Sequence, residues 1–119
     1  MNRDLDLVRE LLLHFESLPN DSPGVPTVAG HSELEVNYHL ILMFEAGLIR
    51  AEPRTSQTGR VIRVLPFSLT WQGHEFLDTA RDKTTWNAVK GQVSSRAGTV
   101  SFELLKALLI AYAKDKVGL

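Results

Sequence analysis

Residues 32–65 read SELEVNYHLILMFEAGLIRAEPRTSQTGRVIRVL, and a change of period inside this stretch decides the fold. Ser32-Glu33-Leu34-Glu35 is a capping box: the Ser32 hydroxyl accepts from the Glu35 amide, while the Glu35 side chain reaches back to the Ser32 amide. The helix it opens is expected to run to about Ala46. Gly47 then suits the left-handed position that ends a helix. Leu48 to Glu52 reads as a strand, Pro53 to Gly59 as a polar turn, and Arg60 to Leu65 as a return strand. Residues 48–65 are therefore expected to form a hairpin.

Upstream, Asp4 to Leu18 reads as a helix. Asp4 is placed as N-cap and Asp6 puts negative charge in the first turn. Leu5, Val8, Leu12 and Phe15 recur at helical spacing, Leu7, Leu11 and Leu18 widen the stripe, and Pro19 stops it. Residues 19–31, PNDSPGVPTVAGH, form a loop with room for a short extended piece at Val25–Val28. Downstream, Thr70 is placed to cap a helix through Arg81, and a further helix over Thr84–Val93 carries Trp86 and Val89. Ser94 to Gly98 reads as a break. Ser101 is placed to cap a last helix to about Lys114.

Helix, loop, helix, glycine and hairpin is the order of a winged-helix domain, with the helix before the hairpin in the recognition position and the hairpin as the wing. The expected fold is α+β, mostly α. A winged-helix-like core spans 1–81, and 82–119 forms a C-terminal helical extension. Several spaced blocks carry a closer likeness. Met1-Asn2-Arg3-Asp4-Leu5-Asp6-Leu7-Val8-Arg9, Tyr38-His39-Leu40, Glu45-Ala46-Gly47-Leu48-Ile49, Leu69 to Asp78, and Arg81-Asp82 with Trp86 together resemble an uncharacterised bacterial and prophage family, domain of unknown function 2513, over roughly residues 1–93. That resemblance implies a winged-helix-like fold, a phage or mobile-element setting and no assigned activity.

Composition narrows the classes. The chain has 119 residues, 44% of them hydrophobic and 23% charged, which is enough apolar material for a core. It contains no cysteine, so disulfides, thiolate metal sites and cysteine nucleophiles are excluded. The opening MNRDLDLVRE is too charged for the apolar core of a signal peptide. The longest apolar run, Leu104 to Ala113, is broken by Lys106 and falls short of the roughly 20 residues a membrane span needs. A cytoplasmic protein with no membrane association is expected. The net charge of −1 conceals an asymmetry. Residues 1–49 hold two basic side chains, Arg3 and Arg9, against eight acids, whereas residues 50–100 hold eight basic against four acidic. Such a division suits a polar partner surface or head-to-tail self-complementarity.

Two binding classes compete. Arg50, Arg54, Arg60 and Arg63 crowd the hairpin, opposed only by Glu52, and the polar tip Thr55 to Gly59 suits phosphate contact. With Tyr38 and His39 as helix contacts, these arginines form the candidate surface for double-stranded DNA. The helix 33–46 has neither Arg nor Lys. Placing Leu40 at the core centre turns Val36, Met43 and Phe44 inward and leaves an outer face that is apolar and acidic. Acids without basic compensation repel a duplex. Leu34, Tyr38, Ile41 and Glu45 are therefore the candidate surface for a protein partner, such as a host factor met by a phage-encoded modulator. In the last helix, Phe102, Leu105, Leu109 and Tyr112 line one side and Leu104, Leu108 and Ala111 another. A homodimer through the first stripe is the expectation; burial between the wing domain and helix 84–93 is the alternative.

No enzyme is expected. His14, His31, His39 and His74 are scattered, and no pair has metal-ligand spacing on one helix. The glycines are isolated and form no phosphate loop. No metal and no cofactor are expected. Trp71, Gly73, His74 and Trp86 read as a core corner where Gly73 lets two helices approach.

Overall fold

Local chemistry starts and stops the elements. The Asp4 carboxylate accepts from the amides of Asp6 (2.9 Å) and Leu7 (3.2 Å), two donors that the first turn of a helix otherwise leaves unmatched. Helix α1, Leu5–Ser17, follows. The capping box forms as read: the Glu35 amide donates to Ser32 Oγ (3.1 Å) and the Ser32 amide to Glu35 Oε1 (3.3 Å), opening α2, Glu33–Glu45. Gly47 takes φ 74°, in the left-handed region that a side chain disfavours, and Leu48 N–H closes on Met43 O at 2.9 Å.

The computed structural model describes residues 1–97, 102–116 and 118. After α2 come β1 (Ile49–Thr55), β2 (Val61–Leu69), α3 (Trp71–Ala80), α4 (Lys83–Ala97) and α5 (Phe102–Lys116). Among the described residues the architecture is α+β and mostly helical, with five helices and one two-stranded antiparallel sheet. The chain divides into two compact units, Met1–His74 and Glu75–Leu119. The division falls inside α3, whereas the sequence reading puts it after residue 81.

In the first unit, α1 packs on α2 and β2, and α2 packs on both strands. Leu5, Leu7, Val8, Leu11, Leu12 and Phe15 from α1 meet Val36, Leu40 and Met43 from α2, with Leu48, Ile49, Val64 and Leu69 also buried. Each fully buried Leu or Phe contributes roughly 1.5–3 kcal/mol. The hairpin is longer than its turn chemistry suggested. Pro53, Arg54 and Thr55, assigned above to the turn, continue β1, and β2 runs through Pro66 to Leu69. Proline is tolerated in edge strands, and in a two-stranded sheet both strands are edges. The tip is closed by Ser56 N–H on Arg60 O (2.8 Å) and Gly59 N–H on Ser56 O (2.9 Å). Val25–Val28 forms no strand, but the loop is tied to β2 by Gly24 N–H on Pro66 O (3.2 Å).

Thr70 caps α3 as expected, its Oγ1 accepting from Gly73 N–H (3.0 Å) and donating to Gly47 O. Gly73 does serve a close approach, though to a different neighbour from the one expected. A Cβ there would lie 2.1 Å from Leu48 O, so the residue packs against the α2–β1 junction rather than a second helix. Trp71 does not join a core corner either; it is 74% exposed.

In the second unit, Phe76, Leu77, Ala80, Trp86, Val89, Leu105 and Leu109 are buried. The Phe76 ring meets Trp86 edge-on (6.3 Å, 83°) and leans on Phe102 (4.8 Å). Asp82 starts α4, its carboxylate accepting from Thr85 N–H (2.9 Å). The helix continues to Ala97, through the break expected at 94–98. Serine costs a helix well under about 0.7 kcal/mol, too little to end one that is otherwise supported. Ser101, expected to cap α5, lies outside the described residues. The α5 stripe expected at a dimer interface needs correction. Leu105 and Leu109 have no exposed surface in the single chain, Phe102 lies against Phe76, and the Tyr112 hydroxyl sits 3.5 Å from Gln92 Nε2 on α4. A stripe of this width is apolar because α5 packs on α4 within one molecule.

Candidate nucleic-acid interface

Hairpin register decides where the arginines point. Ile49 pairs with Leu69, Arg50 with Ser68, Ala51 with Pro66, Glu52 with Leu65, Pro53 with Val64, and Arg54 with Arg63. Directly opposite residues share a face and alternate residues switch faces. Ile49, Leu69, Val64 and Pro66 are buried, so the other face, with Arg50, Glu52, Arg54, Arg63, Leu65 and Ser68, looks outward. Three of the four expected arginines thus share one surface. Arg60 sits at the exposed tip.

The electrostatics of this face are unfavourable for folding alone. Arg54 stands directly opposite Arg63, and like charges so placed destabilise a sheet by a few tenths of a kcal/mol up to about 1. Arg54 is relieved by Glu52 (2.9 Å), but the pair is half exposed and contributes little. Neither Arg60 nor Arg63 meets a carboxylate among the described residues. Arg50 is aimed by a hydrogen bond from its guanidinium to Leu69 O (3.0 Å).

Two bulges shape the hairpin. One leaves Phe67 without a partner on β1, the other leaves Ile62. The Ile62 carbonyl is taken by Asn37 Nδ2 (3.1 Å), which ties α2 to the strand. Arg63, Glu33, Asn37, Val25, Pro26 and Thr27 line a shallow recess of about 180 Å³ beside that bond. Asn37 escaped the sequence reading, because its partner is a carbonyl released by a bulge that no local pattern announces.

On α2, the expected partner-facing residues Leu34 and Glu45 are exposed, and Tyr38 and Ile41 are half-buried. His39, expected to contact DNA, is instead buried, at 2% exposed. Its Nδ1 lies 2.8 Å from Glu35 O, and its Nε2 accepts from Asp4 N–H at 2.7 Å. A carbonyl only accepts and an amide only donates, so these partners assign the neutral ring with the proton on Nδ1. With both ring nitrogens satisfied, an imidazole is buried cheaply. The core-facing set is then Val36, His39, Leu40 and Met43, with Phe44 only half-buried, a rotation of the helix from the expected centre. Tyr38 packs edge-on against His39 (5.6 Å).

Met1, Asn2, Asp4, Glu35, Tyr38 and His39 line a second open pocket of about 320 Å³. Three of its polar groups are committed to structure: Asp4 caps α1, Glu35 closes the capping box, and His39 bridges two backbone groups. The Glu35 carboxyl lies below its ordinary range, first because His31 Nδ1 is 3.2 Å away and then because of the Ser32 amide. Among the described residues, no cluster of three or more His, Asp or Glu could hold a metal ion, and no helix is long and apolar enough to cross a membrane.

No solved structure matches the chain significantly. An uncharacterized protein of Haemophilus influenzae is 35% identical to it over 109 residues, covering 89% of this chain and 90% of its own length. A family model described as "Hypothetical protein (DUF2513)" matches residues 2–99. With most of the chain matched by that model, the protein belongs to the DUF2513 family.

Proposed function

We propose that this protein is a non-enzymatic, winged-helix-like nucleic-acid-binding protein, regulator-like in design, whose hairpin is a wing that grips the phosphate backbone of double-stranded DNA. The order α1, loop, α2 and hairpin supports the architecture, as does the bond that ties the loop to the outer edge of β2. One observation carries the functional reading: Arg54 and Arg63 stand opposite each other on the outward face, with Arg50 beyond them. That arrangement costs stability unless an anion occupies it. Phosphate contacts position a protein on DNA without reading sequence, so the absence of Arg and Lys from α2 is no obstacle to backbone binding.

The test is fluorescence anisotropy with random-sequence duplex DNA from low to moderate salt. Log affinity should fall linearly with log salt, by roughly 0.9 per phosphate contact, and Arg63→Ala should weaken binding and flatten that slope. Absence of binding at low salt would refute this reading.

A second reading has its own support. Leu34 is 65% exposed, and with Tyr38, Ile41 and Glu45 it makes an apolar, acidic face that repels DNA and suits a protein partner. Under that reading Leu34→Asp would abolish capture of the partner and leave DNA binding unchanged. A homodimer formed through α5 would use the exposed Leu104, Ala107 and Ile110 in place of Leu105 and Leu109. Sedimentation of an Ile110→Asp variant tests it.

A further inference from the structure

At 74% exposure, Trp71 stands out more than any other large apolar side chain among the described residues, while the other tryptophan, Trp86, is buried. Folding does not account for Trp71. Its neighbours do the structural tasks: Thr70 caps the helix, Gly73 lies against Leu48, and Phe76 is buried. An indole left in water forgoes more burial than most side chains have to offer, so its position points to a ligand.

The chemistry around it indicates which. The Arg50 guanidinium donates to Leu69 O, only two residues before Trp71. Arg50 and Ser68 form the last outward-facing pair before the hairpin ends at that turn. From there the outward face continues for about 13 Å, at roughly 3.3 Å per residue, to Arg54 and Arg63. An exposed aromatic that follows a row of arginines closely in the chain suits single-stranded nucleic acid: bases stack on the ring while cations follow the backbone. A closed duplex keeps its bases stacked on one another and offers Trp71 none.

We propose that Trp71 is a stacking site for an unpaired nucleobase, so that the protein also binds nucleic acid with single-stranded character, its phosphates on the same Arg50, Arg54 and Arg63. This rests on the phosphate-binding reading of the hairpin and deepens it by adding a base-stacking position and a second form of ligand. Stacking of this kind tolerates any base, since every base has a π-face. It therefore needs no reading side chains on α2.

The two tryptophans make the experiment direct. Because Trp86 is buried, quenching of the intrinsic fluorescence by a short oligo-dT reports mainly on Trp71. Binding of the full chain is measured for oligo-dT and for a duplex of equal length, in wild type, Trp71→Ala, Trp71→Phe and Arg63→Ala. The expected result is quenching by oligo-dT and a loss of oligo-dT affinity of about 5- to 100-fold in Trp71→Ala. Trp71→Phe should be intermediate and duplex binding unchanged. An exposed side chain is a safe one to replace, and circular dichroism checks it; if the alanine variant does not fold, Trp71→Phe carries the comparison. Unchanged oligo-dT affinity in the Trp71 variants, with loss in Arg63→Ala, would overturn the stacking site and leave the arginine face standing. If wild type binds neither ligand at low salt, both fall.

Discussion

Gly73→Ala should destabilise this protein, although alanine is the better helix former. In a helix interior the exchange is worth about 1 kcal/mol in favour of alanine. Gly73 lies in α3 with Leu48 O where its Cβ would be, at 2.1 Å, and Leu48 C at 3.1 Å. The obstacle is backbone, so it cannot rotate away. Leu48 O already accepts from Thr70 N–H (3.1 Å), and Thr70 Oγ1 is bonded to Gly47 O. Making room therefore strains or breaks the latch between the start of α3 and the α2–β1 junction. Overpacking costs roughly 1–3 kcal/mol. One or two weakened hydrogen bonds add about 0.5–1.5 each. Less the propensity gain, the net loss is about 0.5–5 kcal/mol, set against the 5–15 typical of a domain. Gly91 provides the control: it is exposed on α4 with nothing within 4 Å of its Cβ position, so Gly91→Ala should stabilise by about 0.5–1 kcal/mol. Urea denaturation of the two variants beside wild type measures both, read as shifts in midpoint at constant slope. If Gly73→Ala is neutral or stabilising, the close approach of α3 to the junction is wrong.

Three further outcomes follow from the same geometry. Replacing Arg63 by threonine should raise stability by roughly 0.2–1 kcal/mol, by removing the like-charge pair with Arg54, while weakening nucleic-acid binding; a variant less stable than wild type would contradict the repulsion argument. Nitrogen-15 shifts of His39 should report a protonated Nδ1 and a bare Nε2, and His39→Phe, which leaves Asp4 N–H without its acceptor, should cost about 1–3 kcal/mol. An Nε2–H ring would refute the assigned partners. Glu35 has its folded-state pKa below the ordinary 4.5, chiefly through His31. Its contribution is thus complete above 4.5 and is lost as pH falls through the lower folded value. The stability difference between wild type and Glu35→Gln should shrink in that acid window, and a difference constant across it would show that the carboxylate is not the cause.

Much of the fold was legible in short stretches. Asp4, the Ser32–Glu35 box, Gly47 and the capping bond of Thr70 to Gly73 each act on backbone groups within four residues, so their chemistry is written where it operates. The hairpin was readable as a change of period, but its length and register were not. Pro53 looks like a turn residue until the strand proves to be an edge, and the bulges at Ile62 and Phe67 respond to packing that no local pattern contains. Of the candidate site, the four arginines were evident as a cluster. That Arg54 opposes Arg63, and that Arg50 shares their face, depends on that register.

Reading along the chain was enough to place the starts of the elements, their types and order, the uneven distribution of charge, and the family to which the chain belongs. Caps, left-handed glycines and apolar periods are local, and a few neighbouring residues suffice to specify them. Which apolar and polar side chains are covered became visible with the folded chain. His39 is buried because the Asp4 amide, 35 residues away, comes within 2.7 Å of its ring; Leu105 and Leu109 are covered by their own chain; Trp71 is left mostly uncovered. A stripe or an imidazole carries no mark of what will lie against it. Burial is a property of two surfaces, and the second is brought into place only when distant parts of the chain meet.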